Sequence, residues 1–459
     1  MRSRIFYFRH TPLRPCRSGS TFISGRVVII GSTRAQKSFW LGIFLFADGK
    51  DALTEQLTIV MVAMHTSPLA QPGQGDAGGL NVYVRNLSQA LIRQGHQVLA
   101  FTRKTSGPEI PVVVDAATGS EVIPIAAGGY KLPKEALSSL TTQFAQLMIR
   151  EVTNRAKHRV VLHSHYWLSG LAAIEVAHGL QAPVIHTMHT LGAAKNSSAP
   201  GSEPAHRVER ENYIAAKVSV LTANTAAEKE ELIQHTGVAP HRVVVVPPGV
   251  DHHVFTPQGP TVWPGRQAHK GSRVLFAGRM QPFKGPHVLV EALAELRRRG
   301  HATLPTVHFT GAVSGQQDYD VHARAYLLGV ARYCSFSRPV SPTVLASYMR
   351  AADVVAVPSV SESFGLVAVE AQACGTPVLA HRAGGLTTAV ADQQTGELLS
   401  SLAPETWADA LESVMLQPAT WRTYGDGAVH HAATFSWTGM AQSMLRLYST
   451  AARDRPRCD

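Results

Sequence analysis

Two carboxylates, Glu362 and Glu370, stand either side of Ser363-Phe364-Gly365 in the run from residue 361 to residue 378. Glu362 is expected in a loop that leads into a helix, with Glu370 two turns further on. A separation of eight residues is close to a whole number of 3.6-residue turns, which returns the second carboxylate to the face of the first. The amides of Ser363, Phe364 and Gly365 fall at the helix start. N–H groups there lack partners inside the helix, and the helix dipole favours an anion such as a diphosphate. One segment therefore offers anion donors and two hydroxyl-binding carboxylates, which together suit a sugar nucleotide.

Cations stand nearby in kind. Arg279 and Lys284 lie in Ala277-Gly-Arg-Met-Gln-Pro-Phe-Lys-Gly285, a loop expected at a strand's carboxyl end. Two cations there would neutralise the charge that develops on a departing diphosphate. The loop Gln71-Pro-Gly-Gln-Gly-Asp-Ala-Gly-Gly-Leu-Asn81 follows the first strand and opens a helix that Asp76 or Asn81 can cap. It has neither GxGxxG spacing nor Gly-Lys-Ser/Thr, so it indicates no dinucleotide or P-loop site. His163-Ser-His-Tyr-Trp167 and His186-Thr-Met-His-Thr190 each carry two histidines without a Cys or acidic companion, so sugar contact outranks zinc. His65 ends the first strand. Lys134 and Arg207 read alone as exposed charges.

These residues must be held by a scaffold, and its rhythm is legible. Strands are expected at 58–64, 98–102, 122–125, 160–163, 184–186, 218–221 and 243–246, with helices such as 81–94 and 137–156 between them. Near-continuous Val/Ile runs of this kind belong to parallel strands covered on both faces. Five prolines between residues 247 and 271 mark a linker. A second βαβ rhythm follows, with strands at 274–277, 307–310, 354–357 and 378–380 and helices at 287–298, 342–350 and 364–373. Helix is expected from about 404 to 448. The reading is an α/β chain of two Rossmann-like doubly wound domains facing a cleft: 57–247 for the acceptor, 248–272 as linker, 273–430 for the nucleotide sugar, and 431–459 as a C-terminal helix and tail. Ligands of such sheets sit outside the carboxyl ends of the strands.

Composition excludes several classes. The chain has 459 residues, 45% hydrophobic and 16% charged, with a formal net charge of +11. Residues 1–50 hold nine Lys or Arg against one acid, so the remainder carries 34 basic against 31 acidic residues. That near balance argues against nucleic acid as a partner. Four cysteines (Cys16, Cys334, Cys374, Cys458) without metal or redox spacing fit a reducing compartment, so a cytoplasmic location is expected. No run of eighteen apolar residues appears and no membrane partner is expected. Residues 1–56 read as an N-terminal extension, unstructured or a start assigned too early, more than as a transit peptide.

His65-Thr-Ser-Pro-Leu, Gln71-Pro-Gly with Asp76-Ala-Gly-Gly-Leu-Asn81, His163-Ser-His-Tyr-Trp-Leu-Ser-Gly170, Arg279-Met-Gln-Pro-Phe-Lys-Gly-Pro286 and Glu362-Ser-Phe-Gly-Leu-Val-Ala-Val-Glu370 together resemble the retaining GT-B glycosyltransferases of family GT4. They are most similar to its subgroup that begins mycothiol synthesis in actinobacteria, across about residues 58–450. The resemblance implies transfer of N-acetylglucosamine from UDP-N-acetylglucosamine to 1D-myo-inositol 3-phosphate by a homodimer. Arg279 and Lys284 would grip the diphosphate, Glu370 the ribose and Glu362 the donor sugar. Val340 would meet uracil through its backbone, and Gln71, Pro72 and Gly79 would lie against the donor. His65, Asp76, Ala77, Gly78, Gly79, Leu80, Asn81, Lys134, Tyr166, Thr190 and Arg207 would form the inositol phosphate pocket. His189 joins Arg279, Lys284 and Glu362 as a catalytic candidate. No cofactor is required for the chemistry, but the subgroup implies a structural magnesium at Met349, Arg350, Ala352 and Thr376. Leu80 stands where the subgroup more often has Met. The segment 195–210 is about three residues short, which leaves Arg207 and Arg210 as alternatives for one role. A GT4 transferase with a lipid-linked inositol or another sugar phosphate as acceptor, and a non-catalytic sugar-nucleotide sensor, are the competing readings.

Overall fold

In the computed structural model, residues 55–73, 77–105, 113–115, 119–130, 132–198, 201–265, 271–313 and 319–454 are described. Residues 1–54 of the expected extension, Asp76, and the side chain of Lys134 lie outside them. The strands are β1 (Leu57–Val62), β2 (Gln97–Arg103), β3 (Val113–Val114), β4 (Glu121–Ile125), β5 (Arg159–His165), β6 (Val184–Thr187), β7 (Val220–Ala223) and β8 (Val243–Val245). They form one sheet in the order β3-β4-β2-β1-β5-β6-β7-β8. A second sheet has β9 (Arg273–Ala277), β10 (Thr306–Thr310), β11 (Cys334–Ser337), β12 (Val354–Val357), β13 (Val378–His381) and β14 (Gly396–Leu399), ordered β11-β10-β9-β12-β13-β14. All pairings are parallel except β3 with β4. Each sheet reverses direction beside its first strand, the arrangement that opens a ligand crevice at the strands' carboxyl ends.

The apolar runs work as parallel strands require. Every residue of β1 is buried. Val60 and Val62 enter the core on one face, and Leu57, Ile59 and Met61 the core on the other. In β12, Val354 and Ala356 face one core while Val355 and Val357 face the other. Burial on both faces is why these strands lack polar alternation.

The structure differs from the sequence reading at three strands and one helix. β3, β11 and β14 were not expected. β3 is two residues long, and β11 reads Cys-Ser-Phe-Ser with three residues half-buried at a sheet edge. Edge strands bury less and so carry weaker apolar signals. The helix expected at 137–156 is a 3-10 turn, Lys134–Leu140, followed by an α-helix, Thr141–Arg155.

The last helix, Trp437–Arg453, is capped by the Ser436 hydroxyl, which accepts from the Gly439 amide at 3.0 Å. Its apolar stripe (Trp437, Met440, Ala441, Met444, Tyr448) packs on Leu57, Ile59 and Met61 of β1 and on the helix Gly79–Arg93. The chain therefore returns to the first lobe. Its two crossings touch, because Val250 pairs with Ser436 as an isolated parallel bridge. At Gly249 a Cβ would lie 2.1 Å from the Trp437 amide, so only glycine lets the crossings meet. All these elements belong to one unit, Gln56–Asp459.

Candidate active site

Loops from the carboxyl ends of both sheets enclose a cleft of about 720 Å³. Its wall brings together His65, Gln71, Pro72, Gly78, Gly79 and Leu80 after β1, Tyr166 after β5, and His189, Thr190 and Arg207 beyond β6. From the other lobe come Arg279 and Lys284 after β9, Val340 after β11, and Glu362 and Glu370 beyond β12. Ala77 and Asn81 are buried but are not on the wall. The Asn81 side chain is spent on structure. It accepts from the Gly78 amide at 2.8 Å and donates to Thr66 Oγ1 at 2.9 Å and to the Ser67 carbonyl at 2.5 Å. Arg210 is exposed and off the wall, whereas Arg207 is buried on it.

The second lobe's charges are largely uncommitted. Arg279 is half-buried and, among the described residues, no side chain bonds its guanidinium. Glu370 lies in the helix Leu366–Ala373 with no partner for its carboxylate among the described residues. Burial raises that carboxyl to about 7. Lys284 instead pairs with Glu362 Oε1, which also accepts from the Ser359 hydroxyl at 2.8 Å. Among the described residues Glu362 Oε2 has no hydrogen-bond partner, and Glu362 lines the cleft.

The helical repeat does not explain how the two carboxylates converge. Gly365, at φ 100, is the cap and the helix begins at Leu366, so Glu362 sits outside it. The loop carrying Glu362 is placed instead by its own carbonyl, which accepts from the Gly385 amide at 2.7 Å. Among the described residues the amides of Ser363, Phe364 and Gly365 meet no acceptor. Free donors at a helix N-terminus make an anion site.

The first lobe is the opposite case. Arg207 Nε bonds Glu211 Oε1 at 2.8 Å and Nη1 bonds Glu203 Oε2 at 2.7 Å. Nη2 donates to the Thr190 carbonyl at 3.1 Å and hydroxyl at 2.9 Å. Its guanidinium lies 5.0 Å from the centre of the Tyr166 ring. Burial pushes the Glu211 carboxyl up despite Arg207, and Glu211 Oε2 accepts from the Gly192 amide at 2.7 Å. Tyr166 and His189 hold left-handed backbone, at φ 72 and φ 60, without being glycine. Such conformations cost about 1–3 kcal/mol each and cluster at functional sites.

Behind this wall the histidines close on one another. His163 meets the Tyr448 hydroxyl at 2.7 Å and Thr187 Oγ1 at 2.8 Å, Ser164 Oγ meets His186 at 2.8 Å, and His165 Nδ1 meets His189 Nε2 at 3.0 Å. Burial holds all four imidazoles well below their ordinary range, His186 and His189 at about 3. They are neutral hydrogen-bonding groups at physiological pH. Among the described residues, no group of three or more His, Cys, Asp or Glu is arranged to hold a metal.

Where the lobes approach, Gln71 Nε2 donates to the Val340 carbonyl at 2.9 Å, so the backbone expected to meet uracil already has a side-chain partner. The expected magnesium ligands Met349, Arg350, Ala352 and Thr376 are off the cleft wall. The Thr376 hydroxyl donates to the Met349 carbonyl at 2.7 Å, and the Ala352 amide to the same oxygen at 3.0 Å. Carbonyl oxygens at a helix C-terminus suit a hard cation by type and by dipole, without a carboxylate among them. Lys195, Glu203, Phe283 and Ser359 also line the cleft, and sequence reasoning did not select them. A lone Lys in a short polar helix, or a lone Glu ahead of the next one, carries no spacing signal.

Residues 77–254 match the family described as Glycosyltransferase Family 4, and residues 263–428 match Glycosyl transferases group 1. A D-inositol 3-phosphate glycosyltransferase of Jonesia denitrificans is 42% identical over 406 residues, covering 85% of this chain and 95% of that one. One from Corynebacterium glutamicum is 40% identical, covering 86% and 97%. Sucrose-phosphate synthase from Thermosynechococcus elongatus superposes with a TM-score of 0.75 at 27% identity, covering 87% and 100%. Anabaena HepE, in complex with UDP and glucose, shares the fold with a TM-score of 0.67 at 18% identity, covering 85% and 99%. No helix of the described residues is long and apolar enough to cross a membrane.

Proposed function

We propose, from the premise that this chain belongs to the family 4 GT-B glycosyltransferases that include the D-inositol 3-phosphate glycosyltransferases, that it transfers N-acetylglucosamine from UDP-N-acetylglucosamine to 1D-myo-inositol 3-phosphate. The α configuration is retained and the product opens mycothiol synthesis. One observation carries this reading. Partnerless Arg279 and Glu370 on one lobe and the Arg207–Thr190–Tyr166 group on the other line a single cleft.

The chemistry follows from the groups present. Arg279 and the free amides before Leu366 hold the diphosphate. Ionised Glu370 accepts from the ribose hydroxyls. Glu362 takes a donor-sugar hydroxyl on Oε2, since Lys284 and Ser359 both occupy Oε1. The acceptor hydroxyl attacks the anomeric carbon from the face the diphosphate leaves. The bond from carbon to the acceptor oxygen forms as the bond to the phosphate oxygen breaks, and that phosphate oxygen takes the hydroxyl proton. Charge grows on the diphosphate, where Arg279 and Lys284 stabilise it, a contribution of about a hundred- to a thousandfold per donor. Neutral His189 offers Nδ1 to a sugar hydroxyl. A magnesium on Met349, Arg350, Ala352 and Thr376 would brace the end of the helix Pro342–Ala351 and take no part in these steps. A homodimer is proposed on the resemblance alone.

The test is UDP release from UDP-N-acetylglucosamine with 1D-myo-inositol 3-phosphate, free inositol, glucose 6-phosphate or no acceptor. Release dependent on inositol 3-phosphate is expected. Acceptor-independent release, or a preference for glucose 6-phosphate, overturns the assignment.

A further inference from the structure

We propose that Lys195 and Arg207 form the cation pair that receives the acceptor's phosphomonoester, and that Glu203 holds their anion position as an internal stand-in until that phosphate displaces it. The proposal rests on the reading above, in which the first lobe takes a phosphorylated acceptor. Glu203 divides its carboxylate between two cations. Oε1 lies 2.8 Å from Lys195 Nζ and Oε2 lies 2.7 Å from Arg207 Nη1. Two oxygens of a phosphate bridge a pair of cations in the same way. All three residues line the cleft beside Thr190 and Tyr166. Lys195 Nζ also lies 5.9 Å from the centre of the Phe283 ring, so the pair sits opposite the Lys284 loop of the other lobe.

The charges explain why a stand-in is needed. Lys195 and Arg207 are cancelled by Glu203 and Glu211. A neutral group draws no anion, while two desolvated cations without a partner would be costly. Turning the Glu203 carboxylate away leaves the group with one positive charge in excess, shared by two cations that a phosphate can bridge. Arg207 keeps its orientation when that happens, because Glu211 and Thr190 still hold it. Glu203 also stands ahead of the helix Ala205–Lys217, so helical geometry does not lock it against Arg207. The Asn196 side chain fixes its backbone, accepting from the Glu203 amide at 2.8 Å and donating to its carbonyl at 2.9 Å. Release is therefore a side-chain rotation with the chain in place. A phosphomonoester, close to a dianion at neutral pH, outcompetes a single carboxylate for the pair, whereas a neutral polyol does not. The arrangement makes the phosphate on the acceptor a condition of binding.

The experiment measures binding of inorganic phosphate, inositol 3-phosphate and free inositol to the full chain by calorimetry. Excess UDP fills the donor side. The proteins are wild type, Glu203→Gln and Lys195→Met, each checked by thermal melting. Glu203→Gln is expected to bind both phosphates about tenfold tighter and to lower the acceptor KM with the donor KM unchanged. Lys195→Met is expected to bind both about tenfold more weakly, and free inositol is expected to be indifferent to either change. Phosphate binding that is unchanged or weaker in Glu203→Gln, or unchanged in Lys195→Met, overturns the proposal. Lys195 is half-exposed, so its variant decides the matter if Glu203→Gln does not fold. If inorganic phosphate responds as expected while inositol 3-phosphate binds no better than inositol, the acceptor assignment falls and the stand-in survives. If inositol 3-phosphate drives UDP release but neither substitution moves phosphate binding, the stand-in alone falls.

Discussion

The two lobes share a topology and spend their charges in opposite ways. In the lobe built on β9–β14, Arg279 and Glu370 meet no side-chain partner among the described residues, and Lys284 has one carboxylate. In the lobe built on β1–β8, Arg207 is bonded to two carboxylates and both oxygens of Thr190, and four buried histidines pair into neutral groups. The first arrangement waits for a ligand to complete it. The second is satisfied beforehand by its own groups, with the Glu203 carboxylate as its exchangeable member. Substitutions in the waiting lobe should therefore damage chemistry and spare stability, and substitutions at the buried groups of the finished lobe should cost stability as well.

The largest effect tests the first half of that statement. Lys284→Ala should lower kcat about a hundred- to a thousandfold, because it removes a donor to charge that appears only as the diphosphate departs. Its melting temperature should stay near that of wild type, since the pair it breaks is partly exposed. Rate measurement at saturating donor and acceptor, beside a melting curve, checks both. A variant that turns over normally removes Lys284 from the mechanism.

Arg207→Met tests the other half. It strips the buried Glu211 of its cation, and breaking a buried pair from one side costs about 3–5 kcal/mol. The melting temperature should fall, and fall further at pH 8 than at pH 5. Burial already holds the folded Glu211 carboxyl above its unfolded value, so its ionisation costs stability as pH rises. The matched control, Arg279→Met, should melt like wild type and lose donor affinity. Equal melting losses in the two variants would erase the contrast between the lobes.

Glu370 gives a smaller, pH-dependent effect. Its carboxyl sits at about 7, so kcat/KM for the donor should drop by up to about tenfold between pH 8 and pH 6 as the ribose acceptor is protonated. Glu370→Gln should flatten that profile at the low level. The linkage runs the other way for stability. The folded carboxyl keeps a proton that the unfolded chain has released, so wild type loses stability from the ordinary carboxylate range up to about pH 7. Glu370→Gln does not lose it and should melt higher than wild type at pH 8, with little difference near pH 4. A pH profile unchanged by the substitution would take Glu370 out of the donor site.

How much of this was legible in sequence follows the same division. β1 and β12 announce themselves because both faces are buried, while β11 and β14 lie toward sheet edges and are partly polar. The donor site is legible because one continuous segment carries Glu362, the free amides and Glu370. Spacing misled at one point, since Gly365 breaks the helical repeat between the two carboxylates. The acceptor side is assembled from single residues on separate loops and helices. Lys195 and Glu203 look like a solvated pair until the fold sets them beside Arg207. The left-handed backbone at Tyr166 has no sequence signature, and that at His189 only a faint one, since histidine is enriched there but mostly adopts other conformations. The final helix is readable as amphipathic, but its return to the first lobe depends on contacts almost 300 residues away along the chain, as between Tyr448 and His163.

That returning helix supplies the smallest prediction. The Tyr448 hydroxyl reaches through to His163, whose other ring nitrogen meets Thr187, which in turn meets Thr222. Tyr448→Phe keeps the ring and its packing while leaving one buried imidazole nitrogen without a partner, a loss of about 1–2 kcal/mol. The melting temperature should fall modestly, and kcat and both KM values should not move, because this network stands behind the cleft and holds no open group toward it. His189→Ala is the informative partner measurement. It removes a residue of the same histidine group that does face the cleft, and it should cost turnover as well as stability. If Tyr448→Phe also slowed turnover, the histidines would be acting as one unit on the reaction. The finished lobe would then be part of the chemistry as well as its frame.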